Sequence, residues 1–212
     1  DVDGESVTLW KTLLPGTRVL VWLVDAPGFS EREGNPYCGP DGFDWPDNAQ
    51  RFLLFAKVAR LVALNQAGLD WPVDVVHCND WQTGMVPVLL AQDSPRPATV
   101  FTIHNLAYRG LFSWDTFASL GLPHDLWHMD RLEFYGQFSF MKGGLVYADR
   151  ITTVSPTYAE EIQTPDAGNG LDGLLRHRQA VLSGILNGID ADEWNPGTDK
   201  HIAQTYNRRT LS

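Results

Sequence analysis

The chain has 212 residues, 43% hydrophobic and 20% charged, enough for one large α/β domain with a buried core and too apolar for a disordered chain. The formal net charge is -10, with no lysine/arginine stripe to interrupt it. Such a surface repels polyanions and argues against a nucleic-acid partner, whereas a neutral polymer is not penalised.

The two cysteines, Cys38 and Cys78, cannot build a disulfide framework and suit a reducing compartment. No apolar run reaches the roughly 18–20 residues of a membrane helix, and no basic-then-apolar leader opens the sequence. The expectation is a soluble protein without a membrane partner, cytoplasmic, or plastid if from a plant. The first residue is Asp1 rather than methionine, which is read as a boundary of processing or truncation.

Residues 17–24 (TRVLVWLV) form the first of five short apolar runs. A helix is predicted next, where Asp47 with Gln50 three residues on resembles a capping box. Its buried face is Phe52, Phe55, Ala59 and Val62, and it stops near Gly68. The second run is 73–76 (VDVV), followed by a helix over 83–92 that Pro87 can kink. The third run is 98–103 (ATVFTI), followed by a helix over 131–147 loosened by Gly143 and Gly144. After the fourth run, 150–154 (RITTV), Ser155 caps a helix with Pro156 at its first position, and 180–186 (AVLSGIL) is the fifth.

The runs are rich in β-branched residues and hardly alternate, as do strands buried on both faces of a parallel sheet. Strands alternating with helices give an α/β fold with a doubly wound parallel sheet, Rossmann-like. The domain is assigned to 1–188. Residues 189–212 read as an exit segment, ending in a polar helix (HIAQTYNRRTL, 201–211) directed towards a further domain.

In open α/β sheets ligands bind outside the carboxyl ends of the strands. The residues there are Asp25; His77, Asn79 and Asp80; His104 and Asn105; Ser155; and Asn187. Two loops, 26–48 and about 106–129, leave the same edge and exceed the roughly 12–15 residues beyond which loops tend to be functional or disordered. Both carry aromatics and prolines, a mixed surface of the kind that binds sugar rings; Trp45 and Trp114 are the platform candidates.

The strings NPY (35–37), DVVHCNDWQTG (74–84), TIHNLAYRG (102–110), LEFYGQFSFMKGGLVYADRITTVSPTYAEEI (132–162) and LNGID (186–190) resemble bacterial glycogen synthases and plant starch synthases. The similarity runs through nearly the whole chain, in order. It implies the N-terminal, acceptor-side half of a GT-B glycosyltransferase, incomplete at both ends, with two α/β domains facing each other across a cleft. The implied reaction transfers glucose from ADP-glucose or UDP-glucose to the non-reducing end of an α-1,4-glucan with retention. The donor is a substrate, and no cofactor or metal is implied.

Residue by residue, the resemblance puts two groups at the catalytic centre: His104 near the 6-hydroxyl of the donor glucose, and Asp80 where donor and acceptor meet. It gives substrate-binding roles to Tyr37, Asn105 and Asn187. Each has a plainer alternative: Asp80 as a helix cap, His104 as a satisfied sheet-edge histidine, Tyr37 as packing, and Asn187-Gly188 as a turn.

The resemblance has limits. The relatives' opening Lys-x-Gly-Gly-Leu loop is missing. Lys142-Gly143-Gly144-Leu145 lacks the intervening residue and reads as a helix-packing feature. The second domain, which supplies leaving-group charges in the relatives, is also missing, so the isolated chain is expected to be inactive. Losing opening strands would expose sheet edges and favour self-association.

A nicotinamide dehydrogenase needs a G-x-G-x-x-G turn after a strand, and none is present. A non-catalytic glucan-binding or regulatory module stays open. His124 and His128 with Asp130 have a spacing that can bind zinc on a helix face, but a third ligand at defined spacing is lacking.

Overall fold

The computed structural model describes residues 1–210. The chain enters through an antiparallel hairpin, β1 (Thr8–Leu13) and β2 (Leu20–Asp25), paired from Thr8↔Asp25 to Leu13↔Leu20. The run at 17–24 is therefore a hairpin arm, not a strand of the parallel sheet. Pro15-Gly16 supplies the reason. Gly16 has φ 74, and Thr17 N donates to Leu14 O at 3.0 Å, a turn with proline and glycine at its two central positions. Trp10, Leu13, Val19, Leu20 and Leu23 of this hairpin are exposed.

A short helix, α1 (Pro27–Ser30), precedes α2 (Asn48–Ala63). The expected capping box is absent. Asp47 makes no side-chain cap because its carboxylate takes the Arg32 guanidinium, with Nη1 at 2.7 Å. The buried stripe of α2 is Ala49, Phe52, Leu53, Ala56 and Ala63, so the expected face is rotated; Phe55, Ala59 and Val62 are half-buried. The helix stops before Gly68. Asn65 adopts φ 55 and donates to Val62 O at 3.0 Å, while Gln66 N reaches Leu61 O at 2.7 Å, a Schellman ending built on asparagine.

The sheet begins with β3 (Val75–Asn79), two residues later than predicted. A 3-10 turn at Trp81–Thr83 leads into α3 (Met85–Leu90), then β4 (Ala98–Ile103). Pro87 lies in the first turn of α3, where a missing N–H costs nothing, so the helix is not broken there. The predicted helix over 131–147 forms only in its second half.

Before it lies a small antiparallel sheet of β5 (Leu111–Phe112), β6 (Glu133–Phe134) and β7 (Gln137–Ser139), in the order β5-β7-β6. Helix α4 (Trp114–Ser119) lies between β5 and β6. Tyr135 (φ 49) and Gly136 (φ 78) make the two-residue turn that reverses the chain and ends any helix there. Helix α5 (Phe140–Tyr147) then starts on Ser139, whose Oγ accepts Lys142 N at 3.1 Å.

Strand β8 (Arg150–Thr153) leads to α6 (Pro156–Glu161), capped by Ser155 as predicted. Helix α7 (Asp172–His177) and β9 (Leu182–Gly184) complete the sheet. The four strands are parallel and in the order β3-β4-β8-β9, which confirms the α/β fold with a parallel sheet.

Burial on both faces does not hold among the described residues. Cys78, Phe101, Ile103 and Ile151 are buried on the helix side, whereas Val75, His77, Asn79 and Arg150 are exposed on the other. That second face carries a hydrogen-bonded row, His77 Nε2 to Thr102 Oγ1 and Thr102 Oγ1 to Thr152 Oγ1, both 2.6 Å. Residues 201–210 form bends and turns where a polar helix was expected, and Leu211 lies outside the described residues.

The Gly143-Gly144 pair is a packing feature. A Cβ on Gly143 would lie 2.9 Å from Val88 Cγ2, and one on Gly144 2.4 Å from Phe101 Cε2. Glycine lets α5 lie directly on α3 and β4.

The starts of β4 and β8 are tied by Asp149. Its carboxylate accepts two bonds from Arg96 at 2.8 Å and one from Thr99 N at 2.7 Å. The Arg96 guanidinium, then the Thr99 donors, hold this carboxyl well below the usual carboxylate range, against the opposing effect of burial. Asp149→Asn should lower stability by about 1–2 kcal/mol, the pair being partly solvent-screened. A depressed native pKa gives stability that is present at neutral pH and lost as pH falls. The difference between wild type and variant should therefore shrink below about pH 4, measured by urea denaturation across pH.

Candidate functional site

The strand ends do converge. Asp80 directly follows β3 and has φ 56 and ψ -179, a backbone region essentially reserved for glycine. It is held there by Asp80 N donating to Thr102 O (2.9 Å) and by Thr83, whose N and Oγ1 both reach Asp80 O at 3.1 Å. The carboxylate makes no helix cap. Its Oδ1 instead accepts the backbone N–H of His104 at 2.8 Å, linking the end of β3 to the end of β4.

The His104 ring turns the same way, with Nε2 3.0 Å from Asn79 Oδ1, and the residue is exposed. Asn105 closes the following turn, its Oδ1 accepting Ala107 N at 3.0 Å. Leu106 N donates to the Tyr158 hydroxyl at 3.1 Å, fixing this loop to α6.

An open cleft of about 760 Å³ sits at this edge, lined by Tyr37, Trp45, Asp80, Gln82, Asn105 and Tyr108 among others. Tyr37 is brought in by the 26–48 loop. Its ring packs 6.3 Å from Phe52, and its carbonyl accepts Asn48 Nδ2 at 2.9 Å, so it both packs and faces the cleft. Trp45 is steadied by the Arg32 guanidinium, 4.8 Å above its ring. Below the cleft Trp81 is buried against Phe52 (4.9 Å) and Phe140 (6.0 Å).

Gln82, Tyr108 and Arg109 also line the cleft; they lie within the motif strings, but nothing in those strings marks them as site residues. Arg109 Nη1 donates to Asn169 O at 3.1 Å and its guanidinium lies 5.8 Å from the Phe134 ring, joining the cleft to the turn before α7.

Asn187 is not among the cleft-lining residues. It lies past β9 at the same sheet edge, on an exposed stretch where Ile185, Leu186 and Ile189 also face solvent. Trp114 is part of an aromatic stack with Phe117 (5.6 Å) and Trp127 (4.7 Å), away from the cleft. Asp25 accepts Trp10 Nε1 at 2.9 Å and anchors the hairpin.

His124 and His128 flank a 3-10 turn rather than sharing a helix face, and among the described residues no group of three or more His, Cys, Asp or Glu could hold a metal. Burial pushes the Cys78 thiol up to about 12, so it is an inert core group; Cys38 Sγ lies 3.3 Å from Asp44 Oδ1, whose carboxylate raises its pKa.

A second cleft, of about 830 Å³, lies between Tyr135, Lys142, Leu174 and Arg178, and no strand-end residue lines it. Lys142 there is buried, which lowers its pKa, and its ammonium donates to the carbonyls of Met129 and Glu133. It pins the β6–β7 hairpin to α5.

A family model described as the starch synthase catalytic domain matches residues 1–177. The chain belongs to this family. It is 68% identical to a glycogen synthase of Cellvibrio japonicus (strain Ueda107), over 99% of this chain and 44% of the relative. To glycogen synthase 1 of Methylococcus capsulatus it is 61% identical, over 98% of this chain and 42% of the relative.

Among solved structures, the catalytic domain of starch synthase IV from Arabidopsis thaliana, bound to ADP and acarbose, superposes with a TM-score of 0.74. That match is 30% identical and covers 99% of this chain and 43% of that one. This starch synthase family member therefore spans less than half the length of the relatives it matches.

Proposed function

We propose that this chain supplies the acceptor-side lobe of a glucosyltransferase that extends an α-1,4-glucan from a nucleotide-sugar donor, ADP-glucose or UDP-glucose, with retention. The observation that supports this most is the cross-strand link between Asp80 and His104 at the edge of a cleft lined by Tyr37, Asn105 and Tyr108. A neutral sugar fits such a cleft, because its hydroxyls meet carboxylate and amide groups while its flat faces meet aromatic rings. In this reading His104 touches the donor glucose, Asp80 lies between donor and acceptor, and Asn187 hydrogen-bonds the transferred glucose from the end of the last strand. No metal or resident cofactor is assigned.

In this reading a second domain supplies the groups that neutralise the departing diphosphate, and the chain by itself is expected to be inactive. The exposed apolar residues of the β1–β2 hairpin support self-association of the isolated chain. Among the described residues no helix is long and apolar enough to cross a membrane. A cytoplasmic location belongs to the same reading.

The test is glucosyl transfer onto glycogen from each donor, by this chain and by the same chain completed with the remaining segments of the Cellvibrio japonicus relative. Transfer by the completed chain only is expected. No transfer by the completed chain, with glycogen still bound, would replace the reading with a glucan-binding module.

A further inference from the structure

Two consecutive residues at the end of β3 grip two different parts of His104. The left-handed backbone at Asp80 turns its carboxylate across to the His104 N–H, at 2.8 Å. Asn79, one residue earlier and on the open face of the sheet, meets the ring: its amide Oδ1 is 3.0 Å from Nε2. With the amide oxygen facing the ring, as here, the contact is a hydrogen bond when Nε2 carries the proton. In the neutral ring the other nitrogen, Nδ1, is then a bare acceptor. Among the described residues Nδ1 has no hydrogen-bond partner; His104 is exposed and, although not itself a lining residue, is bonded to Asp80 and followed by Asn105, which both line the cleft.

We propose that Asn79 is a positioning residue that sets the tautomer and orientation of His104, so that Nδ1 accepts a hydrogen bond from a sugar hydroxyl. The inference rests on the glucosyl-transfer reading for the identity of the ligand, but not for the tautomer. Asn79 acts through His104 and is not itself among the cleft-lining residues. Its carbonyl also accepts Thr83 Oγ1 at 2.9 Å, which holds the residue at the strand end whatever its side chain is doing. The side chain can therefore be changed with little effect on the local backbone.

The tautomer is read directly on this chain by long-range 1H–15N NMR of histidine, above the ordinary histidine titration range, with His104→Gln identifying its resonance. The Nε2–H form is expected in the wild type and in Asn79→Asp, which keeps an oxygen acceptor in place. Asn79→Ala should give a mixture of both forms.

In the completed enzyme Asn79→Ala should lower kcat on the order of ten- to a hundredfold with KM for glycogen nearly unchanged, and Asn79→Asp should recover most of the loss. An Nδ1–H wild type, or an Asn79→Ala variant with an unaltered tautomer, overturns the proposal. So does an Asn79→Ala variant with altered tautomer and normal kcat. Failure of the completed wild type to transfer glucose, with the tautomer pattern as expected, would strike the function and leave Asn79 as the group that orients His104.

Discussion

Gly84→Ala should destabilise the chain by about 3 kcal/mol, enough to leave a lobe of ordinary stability largely unfolded in mild urea. A Cβ at position 84 would lie 1.9 Å from the carbonyl oxygen of Phe140 and 2.6 Å from its carbon. Those are backbone atoms in the first turn of α5, and Phe140 N is itself tied to Gly110 O at 3.1 Å. Nothing flexible can move aside. Relief would require α3 and α5 to separate, which opens the core around Met85, Phe101 and Phe140, all fully buried. Gly188→Ala is the control: its Cβ would meet nothing within 4 Å, and its backbone needs no positive φ. Urea midpoints and far-UV circular dichroism of the two variants decide the matter, and a Gly84→Ala protein as stable as the Gly188→Ala control would refute the close approach.

That contact also shows where sequence reading stops. Gly143-Gly144 reads as a helix-packing pair because two adjacent glycines in a helical pattern need a reason. Gly84 gives no such signal, since a single glycine beside Asp80-Trp81 reads equally well as a turn. Periodicity places β4, β8 and the Ser155 cap, where β-branched runs and Ser-Pro agree with the final fold.

It misplaces 17–24 because an apolar run does not say whether its partner is a sheet or a hairpin arm, and Pro15-Gly16 is the only clue. It misreads 131–139 as helix because Tyr135-Gly136 is an unusual turn pair, with tyrosine at φ 49. At the site, the rule that ligands bind at strand ends points to Asp80, His104 and Asn105 among others, and the family strings add Tyr37; of these, Tyr37, Asp80 and Asn105 line the cleft. What no string reveals is that Asp80 holds His104 rather than a helix end, because that depends on a backbone angle and a bond across two strands. Gln82, Tyr108 and Arg109 carry no such signal either, for a residue becomes a lining residue only when the chain curves round it.

Asp80 substitutions in the completed enzyme should separate the carboxylate's chemistry from its grip on His104. Asp80→Ala removes both and should lower kcat at least a hundredfold, while the protein stays folded, since a single bond to an exposed neighbour is lost. Alanine must still adopt φ 56 with ψ -179, whereas glycine does so freely. Asp80→Gly should therefore be the more stable of the two by about 1 kcal/mol, yet equally inactive. Stability and turnover move in different directions here, which a purely structural role would not produce.

Asp80→Asn is the deciding variant. Its amide oxygen can still accept the His104 N–H, so the turn stays in place, but the negative charge is gone. Turnover near that of Asp80→Ala would mean that the charge acts on the reacting sugars. Turnover near wild type would mean that Asp80 serves the site by holding His104. Near-normal turnover in both Asp80→Ala and His104→Ala would remove the pair from the reaction altogether, and the cleft would then be read as a place where glucan binds without being extended.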